Sequence, residues 1–344
     1  MRAVWLAATL AALGALVVVF REVVLVFFAA AIFAVPLHQA TRALATRLRI
    51  PDAAALVAVL VVAALATVAI LWGWESVVAA QLAQLLATLP ALTERLAERL
   101  RTDPWAAPLA NLAPDPAMLF SGAASVLGGV RGFLGGTFSL LLDAAIVVFA
   151  AICFAAEPRT YVEGLLRLVP PARRARVDRA LRDAGATIGL WLIARVISMA
   201  TVGVLAGVGL QLLGIPYAMV LGVLAGILAF IPNIGSIASA IPALLLAAPS
   251  GWERVVAVAA LYWLAHALDD FLVIPLAERR VVRLPPALTI AAQLVLGLSC
   301  GILGIMMAAP FVAVAIVLVR RLFVEDVVER EAAQSSETRA VLIR

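Results

Sequence analysis

The sequence predicts an all-α, polytopic membrane protein with about six full spans plus two re-entrant helical hairpins that form an inverted repeat. Three observations predict it. Of the 344 residues, 65% are apolar and only 14% charged, with a mean hydropathy of +1.10. A soluble domain runs near half apolar and a quarter charged and could not hide this much apolar surface in one core. Apolar segments of about 20 residues recur, the length that crosses a ~30 Å hydrocarbon layer. Two further apolar stretches are too long for one straight span and carry helix breakers near their middles.

The N-terminal region, 1–73, holds three expected spans near 3–20, 23–40 and 53–73. The first resembles a signal peptide, but apolar sequence resumes directly after Arg21-Glu22, so it reads as a retained helix. Residues 74–137 read as extramembrane. Leu82, Leu85, Leu89, Leu92, Leu96 and Leu100 recur at three- and four-residue steps, the stripe of an amphipathic helix, and Pro90 is expected to interrupt it. The stripe rests on the membrane or on the protein itself, or it builds an oligomer. A fourth span is expected at 138–156.

Residues 157–186 are basic. Pro170-Pro171 starts a helix, with Val177, Leu181 and Ile188 on one face and Arg173, Arg174, Arg176, Arg179 and Arg182 on the other. Such a helix is expected to lie in the cytoplasmic interface, either as a topology anchor or as a lipid sensor. Residues 187–320 form the expected transport core, with full spans at 187–212 and 255–276. The overlong stretches are 217–247, broken at Ile231-Pro232-Asn233-Ile234-Gly235, and 286–319, broken at Cys300-Gly301-Ile302-Leu303-Gly304. Residues 321–344 are a cytoplasmic tail.

Arg excess marks the cytoplasmic side; every basic residue is Arg, and the net charge is +5. Arg42, Arg47 and Arg49 follow the second span, and the Arg-rich helix follows the fourth. If 217–247 enters from outside, turns at Pro232–Gly235 and returns, Arg279, Arg280 and Arg283 become cytoplasmic as well. Each arm is about 14 residues, too short to cross alone. A shift of 69 positions lays Pro216 on Pro285, Ala218 on Ala287, Gly235 on Gly304 and Ala240 on Ala309. One span plus one hairpin inverts its successor, a recurrent transporter design. Non-helical backbone at membrane depth needs protein or water around it. The turns at Asn233 and Gly301 therefore line a solute path or are buried packing kinks. The pairs Gly203–Gly207, Gly222–Gly226 and Gly297–Gly301 read as helix-packing faces.

Chemistry-bearing residues are few. Arg195, His266, Asp269 and Asp270 fall inside expected spans, where charges cost ~2.5–3.5 kcal/mol each on insertion scales and usually pair or face water. Arg195 is expected to pair with Asp269 or Asp270, with His266 one turn away; the alternative is that each snorkels to the surface. Together with Asn233, Gly235, Ser236, Gly301 and Gly304 they form the expected solute or ion path. Cys153 and Cys300 belong to no CxxC pair and read as buried thiols. The sequence carries no HExxH, GxSxG or Walker A pattern, so no enzyme, cofactor or metal is expected. The absence of a basic–aromatic module argues against nucleic acid.

From about residue 213 onward the sequence resembles a known family. "LLGIPYAMVLGVLAGILAFIPNIGSIASAIPALLLA" and "IPLAERRVVRLPPALTIAAQLVLGLSCGILGIMMAAPFVAV" are similar to the signature of the autoinducer-2 exporter family, the PerM-like permeases. Paired initial helices, the Leu-rich segment with Pro90 and "RLVPPARRARV" fit in organisation. The resemblance implies a multi-pass bacterial inner-membrane permease, often homo-oligomeric, its partners being the bilayer, a small solute and a coupling proton or sodium ion. Members are linked to export of the furanone signal autoinducer-2, others to sodium–proton exchange. Three segments depart from the family pattern. Asn233 and Ser236 stand where the turn carries Tyr and a second Pro. Ala194-Arg195 replaces a Gly-Gln, and His266-x-x-Asp269-Asp270 replaces a Gln-x-x-Glu.

The charge distribution places residue 280 in the cytoplasm and the Leu82–Leu100 segment outside. After removal of Cys153 and Cys300, the variant Arg280→Cys should resist an impermeant thiol reagent added to intact cells. Ready labelling from outside would overturn the hairpin topology.

Overall fold

The computed structural model describes residues 20–102, 138–273 and 284–328. Among these, every regular element is helical. The expected span at 3–20, the loop after 102, Arg279, Arg280 and Arg283, and the tail beyond 328 lie outside the described residues.

Helix α1, Arg21–Leu48, continues through Pro36 and ends at Arg49, whose left-handed backbone (φ 55°) lets its N–H cap the Ala45 carbonyl. Helix α2, Asp52–Thr102, is 51 residues long, about 77 Å at helical rise, more than twice the hydrocarbon thickness. The expected span at 53–73 and the Leu-rich segment after it are thus one helix as far as Thr102, and Pro90 does not interrupt it. A proline costs ~3 kcal/mol in a helix interior, which Ala- and Leu-rich flanks offset.

Helix α3, Phe138–Ala156, is followed by α4, Pro158–Arg167, at an 84° bend. Pro158 has no N–H to continue the ladder and keeps Glu157 out of helical backbone (φ −131°, ψ 59°). Helix α5, Pro171–Leu212, is 42 residues long. The Arg-rich segment is therefore continuous with the expected fifth span, as one helix. Nothing between Pro171 and Leu212 is strong enough to break the helix. The short helix turned sharply from its span is α4 instead.

Helices α6, Ala218–Leu228, and α7, Ile234–Ala247, are the arms of the first broken stretch. At about 16 and 21 Å, neither alone reaches across a ~30 Å layer. A single 3-10 turn, Ala248–Ser250, leads to α8, Trp252–Leu268, which widens into a π turn at Asp269–Val273. Helix α9, Pro286–Val319, contains Gly301 at φ 64°, ψ −145° and runs into a second π segment at Arg320–Val328. Among the described residues, four helices are long and apolar enough to cross a membrane, Arg21–Leu48, Asp52–Ala69, Pro171–Leu212 and Pro286–Val324, or five if the bent α3–α4 pair counts as one span.

The chain divides into two compact units. One comprises residues 1–59, 142–192 and 280–344. Its core is small: Ala30 and Ala34 of α1 meet Ala150, Ala151 and Ala155 of α3. His38 Nδ1 donates to the Ala155 carbonyl at 3.0 Å. Phe28 of α1 packs edge-on against Phe311 of α9, centroids 5.7 Å apart, and Arg321 pairs with Asp183 at 2.8 Å.

The other unit comprises residues 60–141 and 193–279. Val202, Ala206 and Leu210 of α5 bury themselves against Leu221, Leu224 and Leu228 of α6 and against Val258 and Tyr262 of α8. The two expected glycine faces meet each other here. A Cβ on Gly222 would fall 2.5 Å from the Gly207 Cα and 2.8 Å from the Gly203 carbonyl oxygen, and one on Gly226 would fall 2.7 Å from the Met199 carbonyl oxygen. Backbones of α5 and α6 thus touch with nothing between them, the close approach that small residues permit in lipid.

Each broken stretch closes in the same local way. A Cβ on Gly235 would land on the carbonyl of Leu228, and one on Gly304 on the carbonyl of Leu296. In a straight helix these pairs are about 10–12 Å apart; here the chain folds back on itself. Asn233 (φ 65°) and Gly301 (φ 64°) supply the positive-φ step just before.

Gly235→Ala and Gly304→Ala should each lose about 1–3 kcal/mol, because the added methyl meets backbone that cannot step aside. Gly164→Ala, which meets nothing within 4 Å, should be neutral or stabilising by up to ~1 kcal/mol. Thermal unfolding of the three detergent-solubilised variants checks this ranking.

Candidate functional site

One polar cavity, about 90 Å³ in volume, lies in the unit built from residues 60–141 and 193–279. Three elements reach it. Helix α5 contributes Arg195, the end of α8 contributes His266, Asp269 and Asp270, and the tip between α6 and α7 contributes Ala229, Ile231, Pro232, Asn233 and Ser236. Six of the expected path residues therefore converge on one cavity. Gly235 is buried beneath the tip and holds it folded. Gly301 and Gly304 lie in the other unit, at the break in α9.

The charged groups differ in depth. Arg195 is 7% exposed and Asp269 4%, whereas Asp270 is exposed. The π turn beginning at Asp269 places two successive carboxylates in different environments, one buried and one exposed; such turns recur at functional sites. Ser198, one turn beyond Arg195 on α5 and fully buried, donates its hydroxyl proton to Oδ2 of Asp269. Among the described residues, Oδ1 of Asp269 and Nε2 of His266 are buried with no protein hydrogen-bond partner. Buried polar atoms left so cost ~1–3 kcal/mol each, and both residues face a cavity roomy enough for water or a small polar ligand.

The tip adds the field of its two half-helices. Helix α6 ends at the cavity and α7 begins there, so the negative end of one helix dipole and the positive end of the other meet at the turn. Pro232 and Ile231 carbonyls accept from the Ile234 and Gly235 amides at 2.8 and 3.0 Å. The Ser236 hydroxyl donates to the Asn233 carbonyl at 2.7 Å, which locks the first turn of α7. The side chain of Asn233 makes no cap bond to the helix.

Ser198 was not foreseen from the sequence. Its signal is spacing: a hydroxyl three residues after an intramembrane Arg shares that residue's face of the helix. Tyr262, four residues before His266, is also buried with its hydroxyl unpartnered among the described residues. It lies on the α8 face that carries His266 and Asp270.

The family model described as "AI-2E family transporter" matches residues 6–323. The chain is 26% identical over 190 residues to the "Putative transport protein YrrI" of Bacillus subtilis (strain 168), covering 54% of each chain. It is 28% identical over 202 residues to the "Putative transport protein MT0215" of Mycobacterium tuberculosis (strain CDC 1551 / Oshkosh), covering 58% of this chain and 53% of that one. It is 24% identical over 245 residues to the "Putative transport protein YhhT" of Escherichia coli (strain K12), covering 69% and 68%. The matched regions span about half the length of the first two relatives.

Because Arg195 and the two carboxylates share one cavity, their substitutions should couple. Arg195→Ala alone should destabilise by about 3–5 kcal/mol, the penalty of stranding a buried carboxylate. Combining it with Asp269→Ala or Asp270→Ala should restore part of that loss. A double-mutant cycle read by thermal unfolding decides; strictly additive losses with both aspartates would rule the coupling out.

Proposed function

The chain belongs to the AI-2E family of transporters, and from that premise we propose that it is a secondary transporter of a bacterial inner membrane. In this reading a small polar or anionic solute, of which an autoinducer-2-like signal is one, passes through the Arg195–Asp269 cavity under the drive of an ion gradient. The observation that carries the reading is the meeting of buried charges of both signs with the tip of a broken helix pair. Ionisable groups inside a membrane protein are costly unless they face a partner or a water-filled path. Broken helices in transporters present such paths, with half-helix ends aimed at the solute.

The arms α6 and α7 enter and leave the membrane on one side, as a re-entrant hairpin, and α9 does the same about its break at Gly301. Span plus hairpin, repeated once, forms an inverted pair, and Asn233 and Ser236 line the path with Gly235 holding their turn folded. The assembly is a homo-oligomer. A second reading, cation–proton antiport, is favoured by one specific feature: Asp269 and Asp270 are adjacent, with His266 in the same cavity. There the carboxylates carry the exchanged ion.

Reconstitution into liposomes separates these readings. Flux of small polar or anionic solutes above that of empty vesicles, dependent on an imposed ion gradient and reduced at least about tenfold by Asp269→Asn, is the expected result. An internal pH change on a sodium pulse without solute flux identifies the antiporter. A protein that moves neither is a scaffold, which contradicts the proposal.

A further inference from the structure

We propose that the Arg195–Asp269 cavity binds a small zwitterion, an α-amino acid of the size of glycine or alanine. Its carboxylate would lie between Arg195 and the N-terminus of α7, its ammonium against Asp269 and Asp270. The inference rests on the transport reading above and narrows its solute to one charge pattern.

Charge is the first argument. The cavity is lined by one guanidinium and two carboxylates, and Arg195 and Asp269 are both more than nine-tenths buried. A neutral solute gives no return for holding full charges of both signs at membrane depth, where each costs several kcal/mol. A simple anion answers only the arginine, and a simple cation only the carboxylates. A molecule carrying both charges matches both ends. A guanidinium has five donors in a fixed fork, so Arg195 can serve a protein partner and a ligand carboxylate together.

The backbone repeats the same polarity independently. Asn233 and Ser236, at the positive start of the 14-residue α7, line the cavity, as does Ala229 at the negative end of α6. The tip thus sets a positive dipole end near an anionic group and a negative one near a cationic group, as discontinuous helices do at transporter sites. Asp269 adds an observation that points to a ligand directly. Its Oδ2 takes the Ser198 hydroxyl proton while Oδ1, buried and lining the cavity, has no partner among the described residues. A carboxylate held by one oxygen with the other open can accept an ammonium hydrogen bond, one of the stronger kinds.

Size sets the limit. About 90 Å³ is well below the ~300–1,000 Å³ of pockets that take drug-sized ligands. It suits the shared backbone of an amino acid with little or no side chain.

The test is equilibrium binding to the detergent-solubilised full chain, read as the shift in thermal unfolding with glycine, L-alanine, L-phenylalanine, propionate and ethylammonium. Glycine and alanine should raise the midpoint, and each single-headed analogue should bind about ten- to hundredfold more weakly, the worth of one charged hydrogen-bonded group. Phenylalanine should give no shift. In Arg195→Gln the advantage of alanine over ethylammonium should vanish, and in Asp269→Asn its advantage over propionate. The wild-type series decides even where a variant fails to fold. Equal stabilisation by alanine and propionate, or by alanine and ethylammonium, overturns the proposal, as does no shift with any ligand. Liposome flux judges the underlying reading separately. Flux of other solutes without zwitterion binding overturns only this inference. Zwitterion binding without any flux leaves the ligand assignment standing and overturns transport.

Discussion

A helix interrupted inside a hydrocarbon layer frees backbone amides and carbonyls that lipid cannot satisfy, and on the re-entrant reading proposed above much of this structure answers that cost. An exposed unsatisfied group costs several kcal/mol, so broken backbone survives only against protein or water. The α6–α7 pair meets the condition on two sides. On one side Gly203 and Gly207 press their backbone against Gly222 and Gly226, and Gly235 packs under the Leu228 carbonyl, with no side chain intervening. On the other side the turn opens on the polar cavity. Any Cβ at Gly222 or Gly235 would force these segments apart.

Beside a polar cavity, buried charge becomes tolerable. Arg195, Asp269 and Asp270 are grouped around it rather than scattered over the spans. Ser198 fixes the buried carboxylate from the neighbouring helix, and the π turn at Asp269 lets one of two adjacent acids be buried while the other stays exposed. The opposed ends of α6 and α7 add partial charges that need no titratable group. Backbone break, glycine packing and charge cluster are thus three parts of one arrangement. The family's transport activity is the context in which such an arrangement is worth its insertion cost.

Hydropathy and breaker positions made most of this legible in advance. The spans at 23–40, 53–73, 138–156 and 187–212 lie on described helices, because a run of about 20 apolar residues has few alternatives in a bilayer. The resemblance carried by Gly-Ile-Pro, Ile-Pro-x-Ile-Gly and the later Gly-Ile-x-Gly is borne out by a match over residues 6–323. The turn at Pro232–Gly235 and the charged residues Arg195, His266, Asp269 and Asp270 were readable because each is anomalous for its surroundings. Helix continuity was not readable. Pro90 and the change from Arg-rich to apolar sequence near 186 both look like boundaries, yet α2 and α5 run straight through them. A composition change alters which solvent a helix meets, not its hydrogen bonding. Ser198 escaped notice because a lone hydroxyl can satisfy itself on its own helix, and only the approach of α8 gives it a carboxylate to serve. The π turn has no sequence mark at all.

The central claim is that the hairpin tip and its charges face a water-filled path rather than a sealed packing kink. Ser236 lines the cavity without carrying its charge, which makes it the place to look. In a chain lacking Cys153 and Cys300, Ser236→Cys should react with a small, membrane-impermeant thiol reagent in intact cells or in inverted vesicles. Modification should also stop flux. A thiol at 236 that stays unmodified from both sides of the membrane, in protein that still transports, would contradict the account.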